Sequence, residues 1–254
     1  MKGGIRVSRT PLPAPPLNEA YRLLLDRFGF QHWWPAETPF EVCVGAILVQ
    51  NTSWTQVERV LAMARKGGWL TPGGLWSMDE ASLREWLRPT GTYRVKAERL
   101  RAFLQVLWSE HAGSLDALLS GSRSEVRNRL LAIRGIGPET ADCLVLYAAH
   151  QPSFVIDAYT RRVFRRHGWS GADAAYEQLQ ELCETALDGS DRVRFWQDFH
   201  AQMVAVGKEY CRSSEARCED CPLKNLLPKK EAGGSNTVNP PHQAARSSSL
   251  LRLS

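Results

Sequence analysis

The chain has 254 residues, 43% of them hydrophobic, with a formal net charge of +5 and an isoelectric point near 9.0. That length supports one large domain or two small ones; no apolar stretch approaches the roughly 20 residues needed to cross a bilayer, and no signal-peptide core follows Met1-Lys2-Gly3-Gly4. A cytoplasmic protein with a polyanionic partner is the expectation from charge and targeting, and disulfides are not expected in a reducing compartment.

Residues 1 to 16 are rich in Pro, Gly, Arg and Ser and are expected to form a disordered basic leader. Apolar spacing predicts a helix over 17 to 28. His32-Trp33-Trp34-Pro35 follows, a concentration of aromatic area with two readings: a loop pinned into the core, or a stacking surface for an extracted base. Residues 39 to 49 are apolar all round, as in a helix buried inside a helical lobe. They run into Gln50-Asn51-Thr52-Ser53-Trp54, where on burial trends alone Gln50 is a helix-end residue and Trp54 is partly buried.

Helical spacing continues over 56 to 64, 82 to 87 and 95 to 108, broken by a Gly-Pro-Gly connection near 67 to 74 and by Arg88-Pro89-Thr90-Gly91-Thr92-Tyr93. Arg94, Lys96, Arg99 and Arg101 form either a solvated face or a set of phosphate contacts. After a helix over 124 to 132 comes Ile133-Arg134-Gly135-Ile136-Gly137-Pro138-Glu139-Thr140-Ala141-Asp142. Gly135 and Gly137 permit a tight reversal between helices, and Pro138 suits the first position of the second helix. Free amides at such a start, with the positive end of the helix dipole, form a candidate clamp for a DNA phosphate. An ordinary connection between two helices is the other reading.

Phe154-Val155-Ile156-Asp157-Ala158-Tyr159 ends an apolar run at Asp157, a position suited to a helix cap. Arg161, Arg162, Arg165 and Arg166 follow it, and helices are expected over 172 to 187 and 192 to 207. Cys43, Cys143 and Cys183 lie in apolar helical runs, where a buried thiol is the ordinary occupant. Cys211, Cys218 and Cys221 are closely spaced and precede Pro222-Leu223; residues 228 to 254 have the composition of a flexible tail. No alternating pattern persists, so the fold class is all-α. Its expected units are 36–149, with the hairpin 133–139, and a discontinuous domain of 17–35 plus 150–227 that carries Asp157 and the cysteine loop.

Gly-Ile-Gly-Pro-Glu-Thr-Ala-Asp at 135 to 142 with Val-Ile-Asp-x-Tyr at 155 to 159 resembles the helix-hairpin-helix DNA glycosylases of the endonuclease III superfamily. The resemblance covers roughly residues 20 to 222 and implies a two-lobed fold with the active-site cleft between lobes. It implies that Gly135, Ile136 and Gly137 hold DNA, that Asp157 drives base excision, and that Tyr93, in Gly-x-Tyr-x-x-Lys-Ala, lies near the strand opposite the lesion. Where endonuclease III carries its lyase lysine this chain has Glu139, and a carboxylate cannot form a Schiff base. Glu139 and the Leu-Val-Gln-Asn-Thr segment with Trp54, behind Trp33 and Trp34, look like the 3-methyladenine DNA glycosylase III branch. That likeness casts Gln50 as the residue filling the gap left by a flipped nucleotide. It makes Trp33, Trp34 and Trp54 a pocket that sandwiches a damaged base, in a monomer acting on damaged double-stranded DNA without cutting it.

Cys211, Cys218 and Cys221 are similar to the iron-sulfur loop of endonuclease III, with Leu227 where the fourth ligand is expected. The expectation is a [4Fe-4S] cluster on three thiolates with a fourth ligand from Asp220, Glu219 or the His242 region; zinc or no metal is the alternative. Glycosylases for oxidised pyrimidines or mismatches, a bifunctional lyase, and an inactive DNA-binding homologue are the rival functions.

Overall fold

The computed structural model describes residues 14–187 and 191–228. The expected leader (1–16) and tail (228–254, with His242) lie almost wholly outside them. Among the described residues the chain forms twelve α-helices, two short 3-10 turns and no strand. None of these helices is long and apolar enough to cross a membrane.

The helices are α1 (Leu17–Phe28), α2 (Pro39–Leu48), α3 (Trp54–Lys66), α4 (Pro72–Ser77), α5 (Glu80–Leu87), α6 (Tyr93–His111) and α7 (Leu115–Leu119). They continue with α8 (Arg123–Ala132), α9 (Pro138–Tyr147), α10 (Ala158–Arg166), α11 (Tyr176–Ala186) and α12 (Arg192–Glu209). Side-chain caps start many of them: Thr38, Thr71, Asp79, Ser114, Ser122 and Asp157 each accept from an amide in the first turn. Helix α2 packs against α3, α6 and α9, which is why every residue from Phe40 to Leu48 is buried. Helix α1 packs on α11 and α12, α10 packs on α12, and α9 touches α12.

The sequence reading of the helices differs from the structure in specific ways. The connection near 67 to 74 contains α4, opened by a Thr71 cap and Pro72. Helix α7 is too short to show a period and was not expected. Helix α3 begins at Trp54 rather than 56. Helix α11 begins at Tyr176 rather than 172, where Gln178 reaches back to the Ala175 amide.

Candidate active site and hairpin

One cavity, of about 460 Å³, collects the residues singled out above: Trp33, Trp34, Gln50, Trp54, Glu139 and Asp157, with Thr140, Cys143, His200 and Lys208 beside them. Trp54 stands at the N-terminus of α3, yet the Trp33-Trp34 segment folds back along α2 to meet it. Asp198 of α12 accepts the Gln31 amide at 2.7 Å and Gln202 donates to the Gly29 carbonyl at 2.7 Å, which pins that segment to α12. Gly45 lets the Trp34 indole lie on α2, since a Cβ there would come within 3.3 Å of the indole nitrogen.

The three indoles pack on one another at centroid separations of 5.1 to 5.2 Å with interplanar angles of 50° to 89°. Mutually tilted rings in contact satisfy their quadrupoles and leave no slot for a base between them. The expected sandwich is therefore corrected: the cluster offers the cavity an aromatic wall.

Asp157 is both a cap and a wall residue. Its Oδ1 accepts the Thr160 amide at 2.7 Å, closing the first turn of α10. Burial alone pushes its carboxyl up, but the His200 imidazole and Thr160 together hold it below the ordinary carboxylate value. Glu139 goes the other way. At the start of α9 its carboxyl is raised, first by desolvation and then by the Asp157 charge, although its surface is open to the cavity mouth. The two carboxyls are thus poised apart, with Asp157 the more readily ionised.

In the hairpin only Gly135 needs to be glycine. Its φ is +92° and a Cβ would collide with the Arg99 side chain. Gly137 has an extended φ of −96° that any residue adopts, which corrects the expectation that both need special angles. An added Cβ at Gly137 meets nothing within 4 Å, and no side chain caps α9. The α9 start is open to an incoming anion. Ile136 is also corrected: its side chain is buried and its amide is satisfied by the Ile133 carbonyl at 3.0 Å, so it anchors the turn rather than offering a free donor.

Gln50 joins the hairpin to the cavity. Its amide nitrogen donates to the Gly135 carbonyl at 3.2 Å and to Thr140 Oγ1 at 2.9 Å, while Arg99 donates to its carbonyl oxygen. The structure does not bring Tyr93 to this cavity; the ring sits at the start of α6 with Arg88 and Arg94 beside it. Most of the nearby basic residues are structural: Lys96 is buried on the Thr90 carbonyl, with its amine lowered to about 8 by desolvation and Arg99. Arg101 donates to carbonyls of the α4 region.

The arginines of α10 also hold backbone. Arg162 donates to the carbonyls of Cys211 and Gly207, and Arg166 to Arg212 Oand Cys211 Sγ. They brace a loop in which Cys211, Cys218 and Cys221 line one cavity of about 20 Å³ with His167 and Leu227, room for roughly one water molecule. Among the described residues the donors around these thiolates do not complete a four-ligand shell. Leu227 offers no donor, both His167 nitrogens face the backbone carbonyls of Val163 and Leu223, and Asp220 pairs with Arg217. Among the described residues no group of three or more His, Cys, Asp or Glu is arranged to hold a metal ion.

Sequence reasoning missed His200, Tyr147, Thr140 and Lys208. Thr140 stood inside the quoted motif; the other three come from helix faces whose direction no local pattern gives. Asp142, also in that motif, is wholly buried and bonded to Arg127 at 2.8 and 3.0 Å, so it fastens α9 to α8.

The model of HhH-GPD superfamily base excision DNA repair proteins matches residues 44–188. The protein named "Putative DNA repair glycosylase MJ1434" of Methanocaldococcus jannaschii is 39% identical over 212 residues, 83% of this chain and 94% of its own length. Endonuclease III of Thermotoga maritima is 26% identical over 210 residues, 82% of this chain and 91% of its own. A non-covalent endonuclease III–DNA complex superposes with a TM-score of 0.72 at 21% identity, covering 85% of this chain and 96% of that one. H. pylori 3-methyladenine DNA glycosylase bound to 1,N6-ethenoadenine gives 0.65 at 23% identity, covering 77% and 98%. At such identities the structural likeness is one of fold.

Proposed function

Since the chain belongs to the HhH-GPD superfamily of base excision DNA repair proteins, we propose that it is a monofunctional DNA glycosylase that hydrolyses the N-glycosidic bond of alkylated purines such as 3-methyladenine. The observation that carries this reading is the cavity itself, whose lining combines an aromatic wall of Trp33, Trp34 and Trp54 with the Asp157 carboxylate. A cationic base is attracted to an aromatic face. Its charge already makes it a good leaving group, so the site needs no strong general acid.

On this reading the lobe 36–149 contributes the hairpin and the lobe 17–35 with 150–227 contributes Asp157. Open amides at the start of α9 take a phosphate of the damaged strand, and the target nucleotide rotates out of the stack into the cavity. Gln50 enters the vacated stack. Asp157 stabilises the positive charge that develops on the sugar and orients or deprotonates the attacking water. Glu139 supplies no amine, so the product is an intact abasic strand. The partner is damaged double-stranded DNA bound by a monomer in the cytoplasm.

The test is release of free base from duplexes carrying defined lesions. Release of 3-methyladenine without strand cleavage supports the reading. Release of oxidised pyrimidines or mismatched thymine in its place overturns the substrate assignment, and cleavage without alkali overturns the monofunctional one.

A further inference from the structure

Two hydrogen bonds fix the protonation of His200, a buried residue of α12. Tyr147 Oη lies 2.8 Å from the Gln197 carbonyl oxygen and 2.8 Å from His200 Nδ1. A carbonyl only accepts, so the single phenolic hydrogen goes to Gln197 and the phenolic oxygen must accept from the imidazole. Nδ1 therefore carries a hydrogen. In a neutral ring the other nitrogen would then be a bare lone pair. Nε2, however, is buried without a hydrogen-bond partner and lies 3.7 Å from Asp157 Oδ2. A lone pair held against a carboxylate oxygen away from water is repulsive; a hydrogen on Nε2 turns the same placement into an ion pair.

We infer that His200 is a positioning residue acting through Asp157: Tyr147 holds its imidazole so that both ring nitrogens carry hydrogen, and the resulting cation keeps the buried carboxylate ionised for the sugar. This rests on the role proposed above for Asp157. The opposite arrangement, with the proton on Asp157, is opposed by the cap, because the Thr160 amide donates to Oδ1 at 2.7 Å and the start of α10 favours negative charge. Other groups facing the pair are Glu139 and Cys143 of α9 and Lys208 of α12; Asp198, on the same helix, is taken up by Gln31 and Gln202. The electrostatics of the carboxyl agree in direction, since the imidazole, with Thr160, more than offsets the burial of Asp157.

The proposal is tested in the free protein and in turnover. Nitrogen-15 NMR of the imidazole, assigned by its loss in His200→Gln, is expected to show hydrogen on both ring nitrogens at neutral pH. Tyr147→Phe should release that constraint, and Asp157→Asn should convert the ring to a neutral form. A wild-type ring carrying hydrogen on one nitrogen only at neutral pH overturns the inference, whichever nitrogen it is. In single-turnover base release, His200→Ala should move the acid limb of the rate profile to higher pH, with a roughly tenfold loss at its acid end, and His200→Gln should restore part of it at unchanged DNA affinity. Equal loss at every pH in both variants would mark His200 as structural only. Should the wild type release no base at all, the proposed function fails while the NMR result still decides the protonation of His200.

Discussion

The Gln50 amide nitrogen donates to Thr140 Oγ1 across 2.9 Å, joining the turn after α2 to the first turn of the helix that follows the hairpin. Cavity and hairpin are thereby one hydrogen-bonded unit, to which Gly135 adds its carbonyl and Arg99 its guanidinium. The two hairpin glycines should consequently separate in their effects. Gly135→Ala forces a side chain into a left-handed turn and against Arg99, costing at least about 1–2 kcal/mol of stability and slowing excision. Gly137→Val should leave the melting curve nearly unchanged and weaken duplex binding, while the wild type's affinity falls steeply with salt. Titrations of both variants at several salt concentrations, beside thermal melts, check this; unchanged affinity in a folded Gly137→Val protein would remove the hairpin as the clamp.

Trp54 touches Trp33 and Trp34 and is only partly buried. Removing it in Trp54→Ala should cost excision of a cationic purine about 10- to 100-fold, in line with roughly 1–3 kcal/mol for stacking one base, and cost a neutral lesion less. Parallel single-turnover rates on the two lesions measure the difference. A sharp drop in Tm with equal loss on both substrates would make Trp54 a core anchor.

Glu139 supplies a pH-dependent check. Its folded-state carboxyl is raised above the usual value, so its contribution favours the native state in acid and is lost as pH rises through that titration. Glu139→Gln should melt higher than wild type at neutral pH, and the gap should close in acid. The same variant and the wild type should both give no borohydride-trapped DNA adduct. Lys208 lines the cavity, so an adduct that disappears in Lys208→Ala would identify a different nucleophile and end the monofunctional account.

The cysteine loop lacks a donor where Leu227 stands. Leu227→Cys should accordingly take up more iron and sulfide than wild type on anaerobic reconstitution, with a stronger visible absorbance. Equal iron in both proteins would point to a fourth ligand from elsewhere in the chain.

Much of this arrangement was readable in the sequence because it is local. Gly135, Pro138 and Asp157 announce a turn, a helix start and a cap through residue type and position alone, and the long apolar run of α2 marks a helix buried on all sides. What stayed hidden depends on distance along the chain. The meeting of Trp33-Trp34 with Trp54 requires Asp198 and Gln202, more than 160 residues on. Likewise, nothing adjacent to Asp157 signals that His200 will stand behind it, since that pairing is made by α12 crossing α9 and α10. The basic residues of α6 misled in the other direction. Their charge allowed a set of phosphate contacts, whereas Lys96 and Arg101 are spent on backbone carbonyls and Arg99 on Gln50.

The most direct measurement is single-turnover release of 3-methyladenine from an alkylated duplex by wild type and Asp157→Asn side by side. Asparagine caps a helix as well as aspartate does, so α10 and DNA affinity should survive while the negative charge is lost. The account predicts base release by the wild type, an uncut abasic strand, and a fall in rate of at least about 10²-fold in Asp157→Asn. Equal rates in the two proteins, or no release of any alkylated purine by the wild type, would contradict it.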